Sequence, residues 1–145
     1  MTNSAAQPIA SITADESWAL LSSCTLGRFV TSWDGQPDVF PVNFVVQRHT
    51  VLIRTAEGAK LSAVAENHCV AFEADHHDVM HGWSVVVKGV AQVLQSAAEV
   101  EDAERAQVMP WTATTKLHYI RILPTSISGR RFTFGSEPDD FMDFG

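Results

Sequence analysis

Residues 26–47 read LGRFVTSWDGQPDVFPVNFVVQ, and this stretch decides the fold class. Asp34 and Gly35 form a strong hairpin signal, because both residue types tolerate a positive φ. After the turn, every second residue is apolar and these residues share one strand face: Phe40, Val42, Phe44 and Val46. The pattern predicts two antiparallel strands with one face toward a core.

The rest of the chain continues this pattern of closely spaced strands. Further strands are predicted at 50–55, 68–75, 82–95, 116–124 and 126–134. Three short helices separate them, the first starting at Thr13, where Glu16 completes a capping-box spacing. We therefore expect a mainly β (α+β) protein with six or seven antiparallel strands closed into a barrel and a few peripheral helices.

Two residues interrupt the strand patterns. Pro41 has no N–H group, so its strand is expected to be an edge, to be bulged, or to face something other than a strand at that point. Gly89 lies in the middle of the longest predicted strand, where it indicates a bend that suits a curled sheet.

Length and charge limit the class of protein. The 145 residues are expected to form a single domain, with flexible ends at 1–11 and 135–145. Ten Lys and Arg against 17 Asp and Glu give a net charge of −7, which argues against nucleic-acid and anionic-membrane partners. The N-terminus does not resemble a signal peptide, and no apolar run could span a bilayer. The expectation is a soluble cytoplasmic protein in which Cys24 and Cys69 are buried, reduced thiols.

One short segment gathers cations in this acidic chain. In residues 53–64, IRTAEGAKLSAV, the cations Arg54 and Lys60 and the hydroxyl of Thr55 lie near Gly58, where a strand gives way to a helix. A helix start leaves backbone N–H groups free, and arginine and lysine are suited to phosphate. The segment predicts an anion site; the alternative is that Arg54 pairs with Glu57 at the surface and Lys60 is solvated.

Other candidates for chemistry are weaker. Residues 73–83, EADHHDVMHGW, hold three histidines and two aspartates, but their spacing fits no zinc pattern, so a solvated loop is favoured and no metal is predicted. No nucleophile motif such as GxSxG occurs. Trp111 follows Pro110 in a connection, where an aromatic side chain more often meets a ligand or a partner.

In order, the segments LGRF, FPVNFVV, IRTAEGAKL, VAFEAD, GWSVVVKGVA, MPW and RILPTSISGRRF resemble the FMN-binding split β-barrel proteins related to pyridoxamine 5′-phosphate oxidase. The resemblance covers residues 12–134 and implies a homodimer with two flavin sites at its interface. It also implies which residues bind FMN. The phosphate residues would be Arg54, Thr55, Lys60 and Leu61, beside Gly58; those at the flavin ring would be Pro41, Val42, Asn43, Trp83 and Ser84, with the partner's Trp111.

The resemblance implies the cofactor more firmly than the reaction. The substrate-gripping motifs of pyridoxamine 5′-phosphate oxidases do not follow residue 134, so that specific activity is not expected. A flavin-dependent oxidoreductase of small molecules is expected, since flavin carries the redox chemistry and the protein needs no nucleophile. Alternatives are a deazaflavin-binding reductase, a non-enzymatic flavin-binding or storage protein, and haem binding through a histidine: His68, His76, His77 or His81.

Overall fold

The structure is a computed structural model that describes residues 8–55, 58–109 and 118–135. In chain order the elements are β1 (Ile9–Ile12), α1 (Ala14–Ser22), β2 (Leu26–Trp33), β3 (Gln36–Gln47), β4 (Thr50–Thr55), α2 (Ala59–Glu66), β5 (Cys69–His77), β6 (His81–Val93), α3 (Ala97–Glu104) and β7 (His118–Thr133). No helix in these ranges is long and apolar enough to cross a membrane.

The described strands form one antiparallel sheet that closes on itself. Its order is β1-β7-β4-β3-β2-β5-β6, and β6 also pairs with β7, which joins the two sides of the sheet. The mainly β, split-barrel fold predicted from the sequence is confirmed, with seven strands in the described residues. The strands predicted at 116–124 and 126–134 are one continuous strand, β7.

Alternating side chains fill the barrel. Val42 and Phe44 of β3 are buried, Phe40 and Val46 pack against the same core, and so the predicted inner face of β3 is confirmed. Val70 and Phe72 of β5 also point inward. A second, smaller cluster lies outside the barrel, where α3 covers β4 and β7; its buried members are Leu52, Leu94, Ala103, Val108 and Tyr119.

The turn between β2 and β3 and the two interrupted strands agree with the predictions from the sequence. Asp34 and Gly35 connect β2 to β3 with φ of 51° and 78°, as the hairpin requires. Pro41 pairs with Arg28 of β2, and on its other side β3 pairs with β4 only from Phe44 onward. Among the described residues, Pro41 therefore faces no strand on the β4 side, and its missing N–H removes no hydrogen bond between β3 and β4. This was one of the predicted alternatives. At Gly89 the pairing of β6 with β7 shifts register, which confirms the bend.

Two expectations need correction. The flexible N-terminal segment predicted at 1–11 is too long, because Ile9–Ile12 forms a strand that pairs with β7. The cysteines are free thiols, but Cys69 is exposed and Cys24 is only partly covered. Cys69 begins β5 on the side of the strand that faces away from Val70 and Phe72, so the strand alternation places it outside the core.

Candidate functional site

The predicted anion segment lies where β4 ends and α2 begins. Thr55 is the last residue of β4 and is buried, while Gly58 is the N-cap of α2. A glycine has no side-chain oxygen to cap the helix, and the first turn of α2 contains no acidic residue. In contrast, Thr13 caps α1, whose first turn contains two acids, and Ser96 caps α3 in a capping box with Glu99. The partial positive charge at the start of α2 is thus left without an acidic side chain in its own first turn.

Arg54 is a cation without an anionic partner among the described residues. It lies on the outer face of β4, where one of its terminal nitrogens donates to the carbonyl of Val108 over 3.0 Å. Its guanidinium carbon is 6.0 Å from the centre of the Tyr119 ring. The Nε atom is buried and has no hydrogen-bond partner in the described part of the chain. A buried donor of this kind needs an acceptor, so Arg54 is chemically suited to an anion.

A cavity of about 480 Å³ opens beside Arg54. Its walls come from the end of α3, the segment after it and β7: Glu104, Gln107, Met109 and Tyr119. Glu104 shares the cavity with Arg54 without forming an ion pair. The predicted alternative partner of Arg54, Glu57, lies outside the described residues, as does Trp111.

Lys60 lies on a different side of the β4–α2 connection. Its ammonium group is 5.1 Å from the centre of the Phe40 ring on β3, and burial lowers the pKa of Lys60. The neighbouring Leu61 packs against the main core and thereby fixes the start of α2. Arg54 and Lys60 therefore contact different elements. Among the described residues, the two cationic groups do not contact the same side chain.

The ring-binding segment predicted at 41–43 lies next to Arg54. Phe44 pairs with Ile53, so Asn43 and Arg54 are the next residues along their strands and share the outer face. Val42 points into the core and is 1% exposed, which leaves only its backbone for a ligand. Pro41 is exposed and Asn43 is partly exposed on the outer face. The structure thus brings Asn43 and Arg54 together.

Trp83 and Ser84 lie on another part of the barrel. Their strand, β6, places them opposite Arg131 and Arg130 in the C-terminal part of β7, whereas Arg54 lies opposite Tyr119 at the start of β7. Trp83 packs against the core, whereas Ser84 points outward between Asp75 of β5 and Arg130 of β7. Both residues line a cavity of about 360 Å³ with aromatic walls that include Phe132 and Phe134. Within one chain, these two residues do not join the Arg54 site.

The histidine-rich segment forms the end of β5, the connection after it and the start of β6. The Asp78 side chain accepts hydrogen bonds from the backbone N–H groups of Met80 and His81, both over 2.7 Å, and so closes the hairpin between β5 and β6. Across residues 8–55, 58–109 and 118–135, no group of three or more potential ligands is placed to hold a metal ion.

A charged cluster on the outer face was not predicted from the sequence. Arg28 of β2 lies 3.1 Å from Asp75 and 3.6 Å from Glu73, both on β5. Burial raises the pKa of Glu73 to about 7, and the neighbouring Asp75 adds to the rise. The cluster depends on the pairing of β2 with β5, which are far apart in sequence, so local patterns contain no signal for it.

Comparison with known proteins finds one matching protein family and several similar proteins and solved structures. The family model described as pyridoxamine 5′-phosphate oxidase matches residues 13–131. An uncharacterised protein of Mycobacterium tuberculosis is 57% identical over 100 residues, which are 69% of this chain and 91% of the relative. The crystal structure of an FAD-binding protein from Mycobacterium smegmatis is 54% identical, covers 87% of this chain and 100% of its own, and has a TM-score of 0.77. A structure from Corynebacterium glutamicum is 38% identical, with coverages of 94% and 99% and a TM-score of 0.80.

Proposed function

This chain belongs to the pyridoxamine 5′-phosphate oxidase family, and we propose that it is a flavin-binding oxidoreductase of small molecules that binds FMN. A bound flavin would supply hydride and electron transfer. The protein would bind the phosphate, orient the ring and leave a place for a small substrate. The specific oxidation of pyridoxamine 5′-phosphate is not part of the proposal.

The observation that carries this proposal is the state of Arg54. Its guanidinium has a buried Nε without an acceptor and no ion pair among the described residues. It lies at the end of β4, beside a helix start that has no acidic residue in its first turn. A phosphate would provide an anionic partner for the guanidinium and would also interact with the free N–H groups of α2.

The neighbouring residues support the orientation of a ring next to this phosphate. Asn43 shares the outer face with Arg54, so its amide could hydrogen-bond to a polar ring edge. Pro41 and the backbone of Val42 continue the same edge of β3, which none of the described strands covers there. Lys60, held over Phe40, would add positive charge from the other side of the α2 start.

We further propose that the protein acts as a homodimer with the flavin at the interface. In a single chain, Trp83 and Ser84 pair with the C-terminal part of β7, whereas Arg54 pairs with its first residues. A second copy would bring these two side chains to a flavin bound near Arg54. The outer surface also exposes apolar side chains suited to an interface: Leu26, Val39, Val90 and Leu123. These side chains belong to β2, β3, β6 and β7.

The identity of the cofactor is open to a direct measurement. The proposed phosphate site suits both FMN and FAD; FMN is the cofactor that we propose, and FAD is the second candidate because a relative with 54% identity is an FAD-binding protein. Cofactor released from the purified protein by heat, then separated by chromatography with FMN and FAD standards, distinguishes the two. A deazaflavin has its own absorbance maximum, and a Soret band would instead indicate haem and contradict the proposal.

The site is tested by substitution of its cations. Arg54→Ala with Lys60→Ala should abolish FMN retention, because each charge-assisted phosphate contact contributes about 1.5–3 kcal/mol. The measurement is the FMN dissociation constant from quenching of flavin fluorescence, with circular dichroism as the check on folding.

Arg105→Ala is the matched control, since Arg105 is an exposed arginine whose partners are Glu101 and Asp102 on α3. We expect this variant to bind FMN like the wild type. An unchanged FMN dissociation constant in the folded Arg54/Lys60 double variant would contradict the assignment of the phosphate site.

A further inference from the structure

Helix α3 is fixed to the barrel near its C-terminal end by a network of polar side chains. The Asp102 carboxylate on α3 contacts Arg48 in the turn between β3 and β4, and it lies 3.7 Å from Arg121 of β7. The Arg121 side chain is 11% exposed and also donates to Gln47 over 2.9 Å and to Thr50 over 2.8 Å. We call Asp102, Arg48 and Arg121 the α3 anchor, because they join the helix to β7 and to the β3–β4 turn.

The α3 anchor and Arg54 lie on the same outer face of the sheet. Arg121 and Tyr119 are two residues apart on β7, so both side chains point outward. They pair with Leu52 and Arg54 of β4, respectively. Leu52 and Tyr119 are buried beneath α3 in the second apolar cluster. The α3 anchor therefore borders the apolar contacts that separate it from the Arg54 site.

The chain that leaves α3 links the position of Asp102 to Arg54. Ala103 and Val108 are both buried, and two backbone hydrogen bonds of 3.0 Å and 3.1 Å close the end of the helix between them. The carbonyl of Val108 is the acceptor for Arg54, over 3.0 Å. A displacement of α3 at Asp102 would therefore move the group that directs the Arg54 guanidinium.

We propose that Asp102 is a positioning residue for the flavin phosphate: it holds α3 on the barrel and thereby fixes the Val108 carbonyl that directs Arg54. The proposal rests on the phosphate site of the proposed function and adds a residue outside the described walls of its cavity. An arginine that is already directed at its ligand loses less side-chain freedom on binding, so more of the contact energy appears as affinity.

The direct electrostatic effect of Asp102 has the opposite sign. Three arginines contact its carboxylate: Arg48, Arg105 and Arg121. In Asp102→Asn the largely buried Arg121 and the nearby Arg48 lose their shared anion and repel each other, which weakens the hold on α3. Loss of a negative charge would by itself strengthen the binding of a phosphate. Weaker FMN binding in this variant would therefore come from position and not from charge.

The test is the FMN dissociation constant of Asp102→Asn, measured by quenching of flavin fluorescence. We expect about tenfold weaker binding by a protein with the wild-type circular dichroism. Glu101→Gln is the matched control, because it removes the same charge from the neighbouring position of α3, where Glu101 is exposed and contacts Arg105. The dissociation constant of this control should stay within about twofold of the wild type.

A double-mutant cycle shows whether Asp102 acts through Arg54. In the Arg54→Ala background, Asp102→Asn should change the FMN dissociation constant by less than about twofold, since the guanidinium that it positions is absent. In the Lys60→Ala background the loss of about tenfold should persist, because the Lys60 ammonium contacts Phe40 of β3. A role in general stability would give the same loss in both backgrounds.

Arg48→Gln tests the α3 anchor without a buried substitution, because the Arg48 side chain is 64% exposed. Arg105→Gln is its matched control: it also takes a cation away from Asp102, but Arg105 belongs to α3 itself and does not join the helix to the barrel. Arg48→Gln should bind FMN at least about threefold more weakly than Arg105→Gln. Equal dissociation constants of the two variants would contradict the proposal.

Failure of this proposal and failure of the proposed function give different results. If Asp102→Asn binds FMN like the wild type while Arg54→Ala weakens binding, the phosphate site stands and the positioning role is wrong. The positioning role is also wrong if Asp102→Asn weakens binding equally in the Arg54→Ala background. If Arg54→Ala leaves the FMN dissociation constant unchanged, the phosphate site itself is wrong, and the positioning role is wrong with it.

Discussion

At the scale of single residues, the proposed site depends on Arg54, which has no anionic partner in the part of the chain that the structure describes. The sequence allowed two interpretations of Arg54, as a phosphate ligand or as half of a surface ion pair with Glu57. The described contacts of Arg54 are a carbonyl and an aromatic ring, and its Nε is buried without an acceptor among those residues. Sequence reasoning could identify the cation, but only the packing of Tyr119 and Val108 around it reveals how its donors are used.

Gly89 gives the first prediction at this scale. A Cβ atom added to Gly89 would lie 2.1 Å from the carbonyl oxygen of Leu123, inside the register shift between β6 and β7. Because the obstacle is backbone, Gly89→Ala should destabilise the protein by about 1–3 kcal/mol, as other overpacked positions do. Urea denaturation followed by tryptophan fluorescence measures the change.

The control for this prediction is Gly135→Ala, because a Cβ atom there would meet no atom within 4 Å. Its free energy of unfolding should stay within about 0.5 kcal/mol of the wild type. Equal stability of the Gly89 variant would mean that the bulge moves freely, and that Gly89 is not required for the curvature of the barrel.

At the scale of elements, local signals predicted the strands and turns well, while contacts between distant strands were out of reach. The Asp34-Gly35 turn and the alternation after it give the β2–β3 hairpin and its register directly. The Arg28–Glu73 contact instead needs the pairing of β2 with β5, more than 40 residues along the chain, which no local pattern encodes. The same reason explains β1: its pairing with the last strand, β7, made a strand of residues that looked like a flexible end.

The starts of α2 and α3 allow a matched prediction. Ala59 and Ala97 are each the first residue of an eight-residue helix, but only the α2 start lacks a side-chain cap from its own N-cap residue and an acid in its first turn. Ala59→Glu should stabilise the cofactor-free protein by about 0.3–1 kcal/mol through the helix dipole. The same carboxylate would repel a bound phosphate and should weaken FMN binding roughly tenfold.

Ala97→Glu provides the control for charge and helix position. This variant should leave the FMN dissociation constant unchanged, since α3 begins elsewhere and already has Glu99 in its first turn. Titration of both variants with FMN at two salt concentrations checks the electrostatic origin of the effect, which should shrink as salt rises. Equal FMN affinities of the two variants would place the phosphate away from α2.

At the scale of the whole molecule, the barrel buries most of its inner face but leaves apolar side chains exposed on its outer surface. In the single chain Val90 is 39% exposed at the C-terminal half of β6, and Leu26 is 42% exposed at the start of β2. If a second copy covers this surface, Val90→Lys would place one charge per subunit at the contact. The cost should be about 2–3 kcal/mol, which corresponds to roughly a hundredfold weaker dimer. FMN should be lost together with the dimer, because the proposed site needs both chains.

Val79→Lys separates this effect from a general effect of charge. Val79 is 88% exposed in the connection between β5 and β6 and does not belong to a strand, so this variant should remain dimeric and keep its FMN. Light scattering at several protein concentrations, with the flavin absorbance recorded on the same peak, follows assembly and cofactor together. If Val90→Lys is folded and dimerises like the wild type, the second copy binds a surface that does not include Val90, and the proposed contact through the outer face of β6 is wrong.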